Sequence, residues 1–534
     1  MNVVFRADAS NKIGFGHIMR CLTLARHFEE LGASIYFFCR VIPDNLTKKI
    51  IQKGYHLKLI TTKLSISYIE SFSKRKIKNA KMVSFPYNEW LDISWKQDFN
   101  SSILYLKDIG DVEIVVVDSY SIDFRWEKMI SQHVNYLVVI DDLANRTHYC
   151  NLLIDQTLGC TEKKYLNLVP KTCSFLLGSD YVILRSEFID YREKSIKRRR
   201  SKDSINNILI NFGGVDPDFI TRKILELLGK IEDTTIKSID IVIGRDSKSY
   251  KKIKQLSQSL PYNINIYSDI GNMAEIMSNA DLAIGGVGSS AWERCCLGIP
   301  SILVVCAENQ LNNAKKLVSI DAADILSYST EISDFHKDEL YKLISDVSKL
   351  KENGLIASKL CDGIGVSRII NFLLPRKSKD NKYIKIRPVT IKDKELIYSW
   401  QTLPSTRKYS RNPDIPDYEE HSIWFENKIK ETNNYFYIIL HKETPSGVVR
   451  LDSIEKTEYL NIDIKNQLYE ISVYVSDDQY GKGLASIAIS KIESLIPKST
   501  IMAYVSKKNI ASQKLFEKSG YKKIRESMYI KYTI

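Results

Sequence analysis

The sequence predicts an α/β protein: two doubly wound parallel-sheet halves, followed by a smaller α+β domain. Three observations carry this expectation. Short apolar runs alternate with helical periodicity from residue 1 to about 155. The same alternation restarts near Asn207, after the basic run Lys197-Arg198-Arg199-Arg200, which reads as a loop. Beyond the charged stretch Pro375–Lys382 the order changes to several strands in succession. Strand–helix alternation belongs to parallel sheets covered on both faces, and consecutive strands belong to antiparallel or mixed sheets. The expected segments are 1–155, 156–372, a linker at 373–382, and 383–534.

In the first half, the strand Val3–Phe5 leads into Arg6 and Asp8 and then the loop Ile13-Gly14-Phe15-Gly16. His17 opens a helix in which Ile18, Cys21, Leu22, Ala25 and Phe28 recur at helical spacing, and Gly32 stops it. Ser34–Cys39, Glu113–Val117 and Tyr136–Ile140 are strands, two of them ending in acids, Asp118 and Asp141-Asp142. Ligands of such sheets bind at the carboxyl ends of the strands. Topology alone therefore groups His17, Asp118-Ser119-Tyr120 and Asp141-Asp142 on one edge. Asp141-Asp142 is either a strand-end turn or a ligand contact.

The second half opens with the strand Asn207–Phe212, running into Gly213-Gly214 and Val215-Asp216, and a helix to Gly229. Ile239–Ile243, Asp281–Ile284 and Pro300–Val305 are further strands. The loop Gly285–Ser290 precedes a helix that carries Glu293 and ends at Gly298. In the last region Tyr383–Arg387, Tyr435–Leu440, Val448–Leu451 and Tyr469–Val475 are strands. The loop Asp477–Ala485 comes next, then a helix, the strand Thr500–Val505, a helix from Asn509 and a final strand.

The chain has 534 residues and a net charge of +13, with Lys and Arg spread along its length. That distribution points to small anionic ligands on a basic surface rather than to nucleic acid. Nine cysteines show neither a disulfide framework nor metal-ligand spacing, and they read as buried thiols in a reducing cytosol. Arg6 and Asp8 interrupt any leader-like apolar run, and no run approaches the ~18 residues of a membrane helix. The expectation is a cytoplasmic enzyme without a membrane span or a metal.

Gly14 and Gly16 let the backbone approach a ligand closely, and the helix start at His17 offers N–H groups to an anion. A histidine there is disfavoured as imidazolium and remains available as a base. The first block, with Val117-Asp118-Ser119-Tyr120, Ile140–Ala144, Phe212-Gly213-Gly214, Gly288–Glu293 and Glu308-Asn309-Gln310, resembles the UDP-sugar hydrolases of pseudaminic acid biosynthesis. The resemblance covers residues 1 to about 372 and implies the glycosyltransferase-B arrangement of two facing halves. Its implied reaction is removal of UDP from UDP-2,4-diacetamido-2,4,6-trideoxy-β-L-altropyranose by inverting attack of water. It implies His17 as general base, with Asp8, Gly16, Tyr120 and Asn309 around the sugar. Gly288, Ser289 and Ser290 would hold the diphosphate and Glu293 the ribose or uracil.

Gln479-Tyr480-Gly481-Lys482-Gly483-Leu484-Ala485 resembles the acyl-CoA loop of the GCN5-related N-acetyltransferases (GNAT). Asn509 to Tyr521 is similar to that family's second signature, and Ser399-Trp400-Gln401…Trp424-Phe425 to its branch acting on ribosomal-protein N-termini and nucleotide-linked amino sugars. The resemblance implies acetyl-CoA as co-substrate, held by Gln479 through Ala485 and Asn509. Phe516 stands where many members have a tyrosine acid, so Tyr504 and Tyr521 are the candidate substitutes. Glu470 is a candidate base or a cross-strand surface charge. His421 is expected on a helix surface or against substrate. Together the two resemblances imply that the last domain acetylates the 4-amino group of the preceding UDP-linked diamino-trideoxy sugar. The rivals are a UDP-sugar glycosyltransferase joined to a protein N-terminal acetyltransferase, and a non-catalytic UDP-sugar-binding regulator.

Overall fold

The computed structural model describes residues 1–10, 12–60, 91–213, 216–232, 235–245, 247–268, 270–374, 376–431, 434–454, 467–496 and 499–533. Gly214, Val215 and Pro375 lie outside them. The chain divides into two compact units, Met1–Val366 and Ser367–Ile534.

The first unit opens with β1 (Asn2–Ala7), α1 (Gly16–Glu30), β2 (Ser34–Cys39), α2 (Asp44–Gln52), β3 (His56–Leu59) and α3 (Trp95–Ile109). It continues with β4 (Ile114–Asp118), α4 (Phe124–Ile130), β5 (Tyr136–Ile140), β6 (Leu152–Asp155), β7 (Ser174–Leu177) and α5 (Glu187–Arg200). The seven strands form one parallel sheet in the order β3-β2-β1-β4-β5-β6-β7. Every residue of β4 and β6 is buried, as strands covered by helices on both faces require. At the end of α1, Gly32 takes φ +81°, the left-handed position that closes helices.

The second half adds β8 (Asn207–Asn211), α6 (Ile220–Leu228), β9 (Ser238–Val242), α7 (Tyr250–Leu256), β10 (Asn263–Tyr267), α8 (Met273–Asn279) and β11 (Leu282–Gly285). Then come α9 (Ser289–Cys296), β12 (Ser301–Val304), α10 (Leu311–Ser319), β13 (Asp324–Ser327), α11 (Lys337–Ser345) and α12 (Val347–Leu360). Its sheet is also parallel, β10-β9-β8-β11-β12-β13. In each half the strand order reverses once, between β1 and β4 and between β8 and β11, and a crevice opens beyond the carboxyl ends there.

The basic run is a helix end, not a loop. Arg199 lies buried in the last turn of α5. Its guanidinium donates to the carbonyls of Ser195, Ala280, Leu297, Met277 and Ser278 at 2.8–3.2 Å. Arg198 pairs with Asp281 at 2.5 Å. These two cations satisfy carbonyls left open at helix ends, while Lys197 and Arg200 remain exposed.

After α13 (Gly365–Leu373) come β14 (Arg376–Lys377), β15 (Tyr383–Pro388), α14 (Lys394–Gln401), α15 (Pro404–Arg407), α16 (Tyr418–Lys428), β16 (Tyr435–His441) and β17 (Thr444–Ile454). The chain ends with β18 (Leu468–Val475), α17 (Leu484–Glu493), β19 (Thr500–Tyr504), α18 (Ile510–Lys518), β20 (Lys522–Arg525) and β21 (Met528–Tyr532). The sheet order is β14-β15-β16-β17-β18-β19-β21-β20, antiparallel except for the β18–β19 pair. The stretch expected as a linker is thus a hairpin: Arg376–Lys377 pairs with Tyr383–Ile384, and Ser378 N–H donates to Lys382 O at 2.8 Å. The single final strand expected is two, folded back at Glu526-Ser527.

Candidate functional site

In the first unit a cleft brings Gly16, His17 and Tyr120 opposite Gly288, Ser289 and Asn309. His17 stands on the first turn of α1, directly after the β1 loop. Its Nδ1 lies 2.5 Å from Oδ1 of Asp118, the last residue of β4. The two strands that flank the reversal of strand order therefore supply the imidazole and its carboxylate. Asp118 is fully buried and also receives Arg20 at 2.7 and 2.9 Å. Burial alone would raise the Asp118 carboxyl, but Arg20 and His17 outweigh it and hold it below the usual range. An anionic partner at Nδ1 fixes the tautomer with the proton there, so the Nε2 lone pair becomes the basic edge.

Tyr120 packs edge-on to the His17 ring, centroids 4.6 Å apart. Its hydroxyl donates to Asp142 at 2.6 Å, and Arg20 reaches the same carboxylate at 3.5 Å. Asp142 is thus part of the cleft wall. Asp141 is a structural group, bonded to Arg146 at 2.7 Å and to Ala144 N–H at 2.8 Å. Asp8 is not brought to the wall. Arg6 is wholly buried and needs two carboxylates, so it takes Asp8 at 2.8 Å and Asp98 at 2.6 Å. The other Asp8 oxygen accepts the N–H of Arg40 at 2.6 Å and of Val41 at 3.2 Å.

Across the cleft, Gly288 precedes α9, whose start has no side-chain cap. Its N–H groups and positive dipole end suit an anion. Gln310 holds this turn: its side-chain oxygen accepts Val287 N–H and Cys306 N–H, both at 3.1 Å. Buried Arg294 donates to Gly286 O at 2.7 Å from behind. A Cβ on Gly285 would come within 2.5 Å of Asn211 O, so only glycine fits beside β8. Ser290 accepts from Arg294 at 3.4 Å and is absent from the wall of the cleft. Glu293 lines an adjoining part of the cleft beside Gly213. Burial pushes its carboxyl up, against the opposing pull of Arg185 at 3.4 Å.

In the second unit β18 pairs with β19 only over Leu468–Glu470 and Thr500–Met502, although both strands run on. They part after Glu470, leaving the Ile471–Val475 edge without a ladder partner on that side among the described residues. The loop that follows turns through Gly481 at φ +77° and Gly483 at φ +84°, backbone that favours glycine. Gly483 caps α17 without a side-chain bond, and buried Leu484 anchors the helix, whose first-turn amides have no side-chain cap. Tyr480 is exposed, and the Lys482 ammonium folds back onto Asp478 O at 3.0 Å and Gln479 Oε1 at 2.9 Å. Asn509 spends its side-chain oxygen on Ser512 N–H, capping α18.

At the fork, Arg411 joins two of the expected residues. It donates to Glu470 at 2.6 Å and lies over the Tyr504 ring at 4.8 Å. Tyr521 belongs to a different cluster, packed on Phe516 at 5.0 Å; burial, then Glu493, pushes its hydroxyl up. It is not grouped with Glu470. His421 is not on the helix surface: it is buried among Tyr398, Trp424 and Phe425. Asp118 and Gln310 lie in the Val117–Tyr120 and Glu308–Gln310 blocks, whereas sequence reasoning gives Arg20 and Arg411 no role. Topology groups His17 and Asp118 on one sheet edge, and the fold adds the direct bond between them across 101 residues of sequence.

Among the described residues no group of three or more His, Cys, Asp and Glu is arranged to hold a metal, and no helix is long and apolar enough to cross a membrane. Residues 208–360 match the glycosyltransferase family 28 C-terminal domain, and residues 384–522 the acetyltransferase (GNAT) domain. An uncharacterized protein of Methanocaldococcus jannaschii is 26% identical over 98% of this chain and 98% of its own length. The UDP-2,4-diacetamido-2,4,6-trideoxy-beta-L-altropyranose hydrolase of Campylobacter jejuni is 24% identical over 59% of this chain and 95% of its own. MurG of Acinetobacter baumannii aligns with 70% of this chain and 99% of its own, at 15% identity and a TM-score of 0.49. The chain joins a segment of glycosyltransferase-B fold, homologous to that hydrolase, to a C-terminal GNAT domain.

Proposed function

We propose that the first unit releases UDP from UDP-2,4-diacetamido-2,4,6-trideoxy-β-L-altropyranose, and that the second acetylates the 4-amino group of the UDP-amino sugar that precedes it. The observation that carries the first half is the imidazole–carboxylate pair His17–Asp118 on the cleft wall, opposite an uncapped helix start at Ser289. Water placed at Nε2 loses its proton to His17 as its oxygen attacks the anomeric carbon. The anomeric C–O bond breaks, and UDP leaves with the bonding pair toward the α9 amides. Asp118 stabilises the imidazolium that forms, and Arg20 keeps Asp118 ionised. Gly16, Tyr120 and Asn309 surround the sugar, Gly288 and Ser289 take the diphosphate, and Glu293 takes the nucleoside.

In the second unit the loop from Gln479 to Ala485 fits the diphosphate of acetyl-CoA, because two left-handed glycines and an uncapped helix start leave main-chain amides open. Acetyl-CoA supplies the activated acyl group. Glu470 accepts the proton of the attacking amine, and Arg411 sets its position. The amine nitrogen bonds to the acyl carbon as the C–S bond breaks, and Tyr504, beside Arg411, is the proton donor we assign to the leaving thiolate. The chain acts in the cytoplasm, a reading supported by nine cysteines all present as free thiols.

The match of residues 208–360 to a glycosyltransferase domain favours a second reading, transfer of the sugar to an acceptor. One assay separates the two. The full chain is incubated with acetyl-CoA and the UDP-4-amino sugar, and products are followed by mass spectrometry. CoA, the acetylated sugar and free UDP are expected with water alone. UDP release only upon addition of an acceptor sugar or lipid establishes transfer, and absence of CoA release removes the amino sugar as the acetyl acceptor.

A further inference from the structure

Lys482 is the cation within the acyl-CoA loop, but its ammonium is turned back onto the loop itself. A second lysine is better placed. The hairpin at 376–382 precedes the segment that matches the GNAT domain, and it lies against the loop. Lys379 N–H donates to Lys482 O at 3.0 Å. Its side chain runs past Gly483: a Cβ built there would sit 3.7 Å from Lys379 Cγ. The Lys379 ammonium has no carboxylate partner among the described residues, unlike Lys385, which pairs with Glu443 at 2.7 Å.

The hairpin is held there by a buried imidazole. His441, at the end of β16, is 3% exposed in its side chain. One ring nitrogen lies 2.9 Å from Gln479 Oε1, the first residue of the loop, and the other 3.1 Å from Asp380 Oδ1 at the hairpin tip. Ser378 Oγ closes the same cluster at 3.3 Å. Asn381, at φ +59°, makes the tight turn that returns the chain to β15. Loop and hairpin are therefore tied twice, once through backbone and once through His441.

We propose that the 376–382 hairpin is a wall of the acyl-CoA site, in which Lys379 contacts a phosphate of the bound acyl-CoA and His441 is the residue that positions it. The proposal rests on Gln479–Ala485 being the acyl-CoA loop. The test uses the full chain and acetyl-CoA in titration calorimetry, with thermal melting as the control for folding. Lys379→Ala should weaken binding about 10- to 30-fold, the lower part of the range for a hydrogen bond between charged groups. It should also flatten the salt dependence of affinity, and Lys379→Arg should restore both. His441→Leu should weaken binding too, with the loss in the Lys379→Ala, His441→Leu double variant less than the sum of the singles. Repeating the measurement with 3′-dephospho-acetyl-CoA separates the phosphates: a persisting Lys379 effect assigns the diphosphate, and a vanishing one the 3′-phosphate. Wild-type affinity in Lys379→Ala overturns the proposal and leaves the loop assignment standing. Failure of the wild type to bind acetyl-CoA overturns both.

Discussion

The two candidate sites are built from different material. In the first unit the proposed base is a side chain whose setting is a set of buried charges: His17 on Asp118, Asp118 on Arg20, Arg20 on Asp142. In the second, the feature that suits the ligand is main chain, shaped by Gly481 and Gly483 and by the parting of β18 from β19. A site of buried charges depends on the identity of individual atoms and on protonation. A site of backbone amides depends on conformation and tolerates side-chain change.

The largest expected effect tests the first half of that contrast. His17→Ala should slow UDP release about 10²- to 10⁴-fold, the range for loss of a general base, as read by continuous UDP detection. A near-normal rate removes His17 from the mechanism. Next comes pH. His148 is buried between Glu127 at 2.8 Å and Asp141 at 3.8 Å. Burial lowers its pKa, but the two carboxylates prevail and raise it from 6.5 to about 9. Its contribution to stability is then complete below pH 6.5 and lost as pH rises through about 9, up to about 3 kcal/mol. Thermal melting of the full chain between pH 6 and 10 should show that decline, and His148→Gln should flatten it. Equal slopes in the two proteins would deny that buried charge sets the pH response.

Smaller effects sharpen the comparison. Asp118→Asn keeps the shape but offers Nδ1 a different partner, and UDP release should fall about 10- to 100-fold, the weight of a partner that orients a metal-bound imidazole. The smallest effect belongs to the backbone site. Gly483→Ala meets no closer atom than Lys379 Cγ at 3.7 Å, so its cost is the left-handed φ of +84°, about 1 kcal/mol. The apparent KM for acetyl-CoA should rise several-fold with kcat nearly unchanged. A loss as deep as that of His17→Ala would erase the distinction between the two sites.

Much of this was legible in the sequence where the signal is local. The alternation of strands and helices located β2 and β5 whole and all but the ends of β1, β4, β8 and β11, because strands covered on both faces are continuous apolar runs. Glycines at 481 and 483 announced the turn before α17, since few residues accept that backbone. What was not legible depends on partners far along the chain. Asp8 reads as a free acid beside a glycine loop, and only the fold reveals that Arg6, buried beneath it, claims the carboxylate. Tyr521 and Tyr504 look equivalent as replacements for the hydroxyl that Phe516 lacks. Burial separates them, one enclosed against Phe516 and the other open beneath Arg411. The hairpin at 376–382 is charged and apolar-poor like a linker, and its order comes from His441, some sixty residues later.

Arg199 puts a clock on the second half of the first unit. Its guanidinium is satisfied by carbonyls at 277, 278, 280 and 297, none of which exists when α5 emerges. At about 5–20 residues per second, synthesis needs roughly 5–20 s to reach Leu297, and over that time the helix end stays open. The same contact that locks α5 against α8 and α9 thus postpones completion of this half until its glycine turn and α9 have been made.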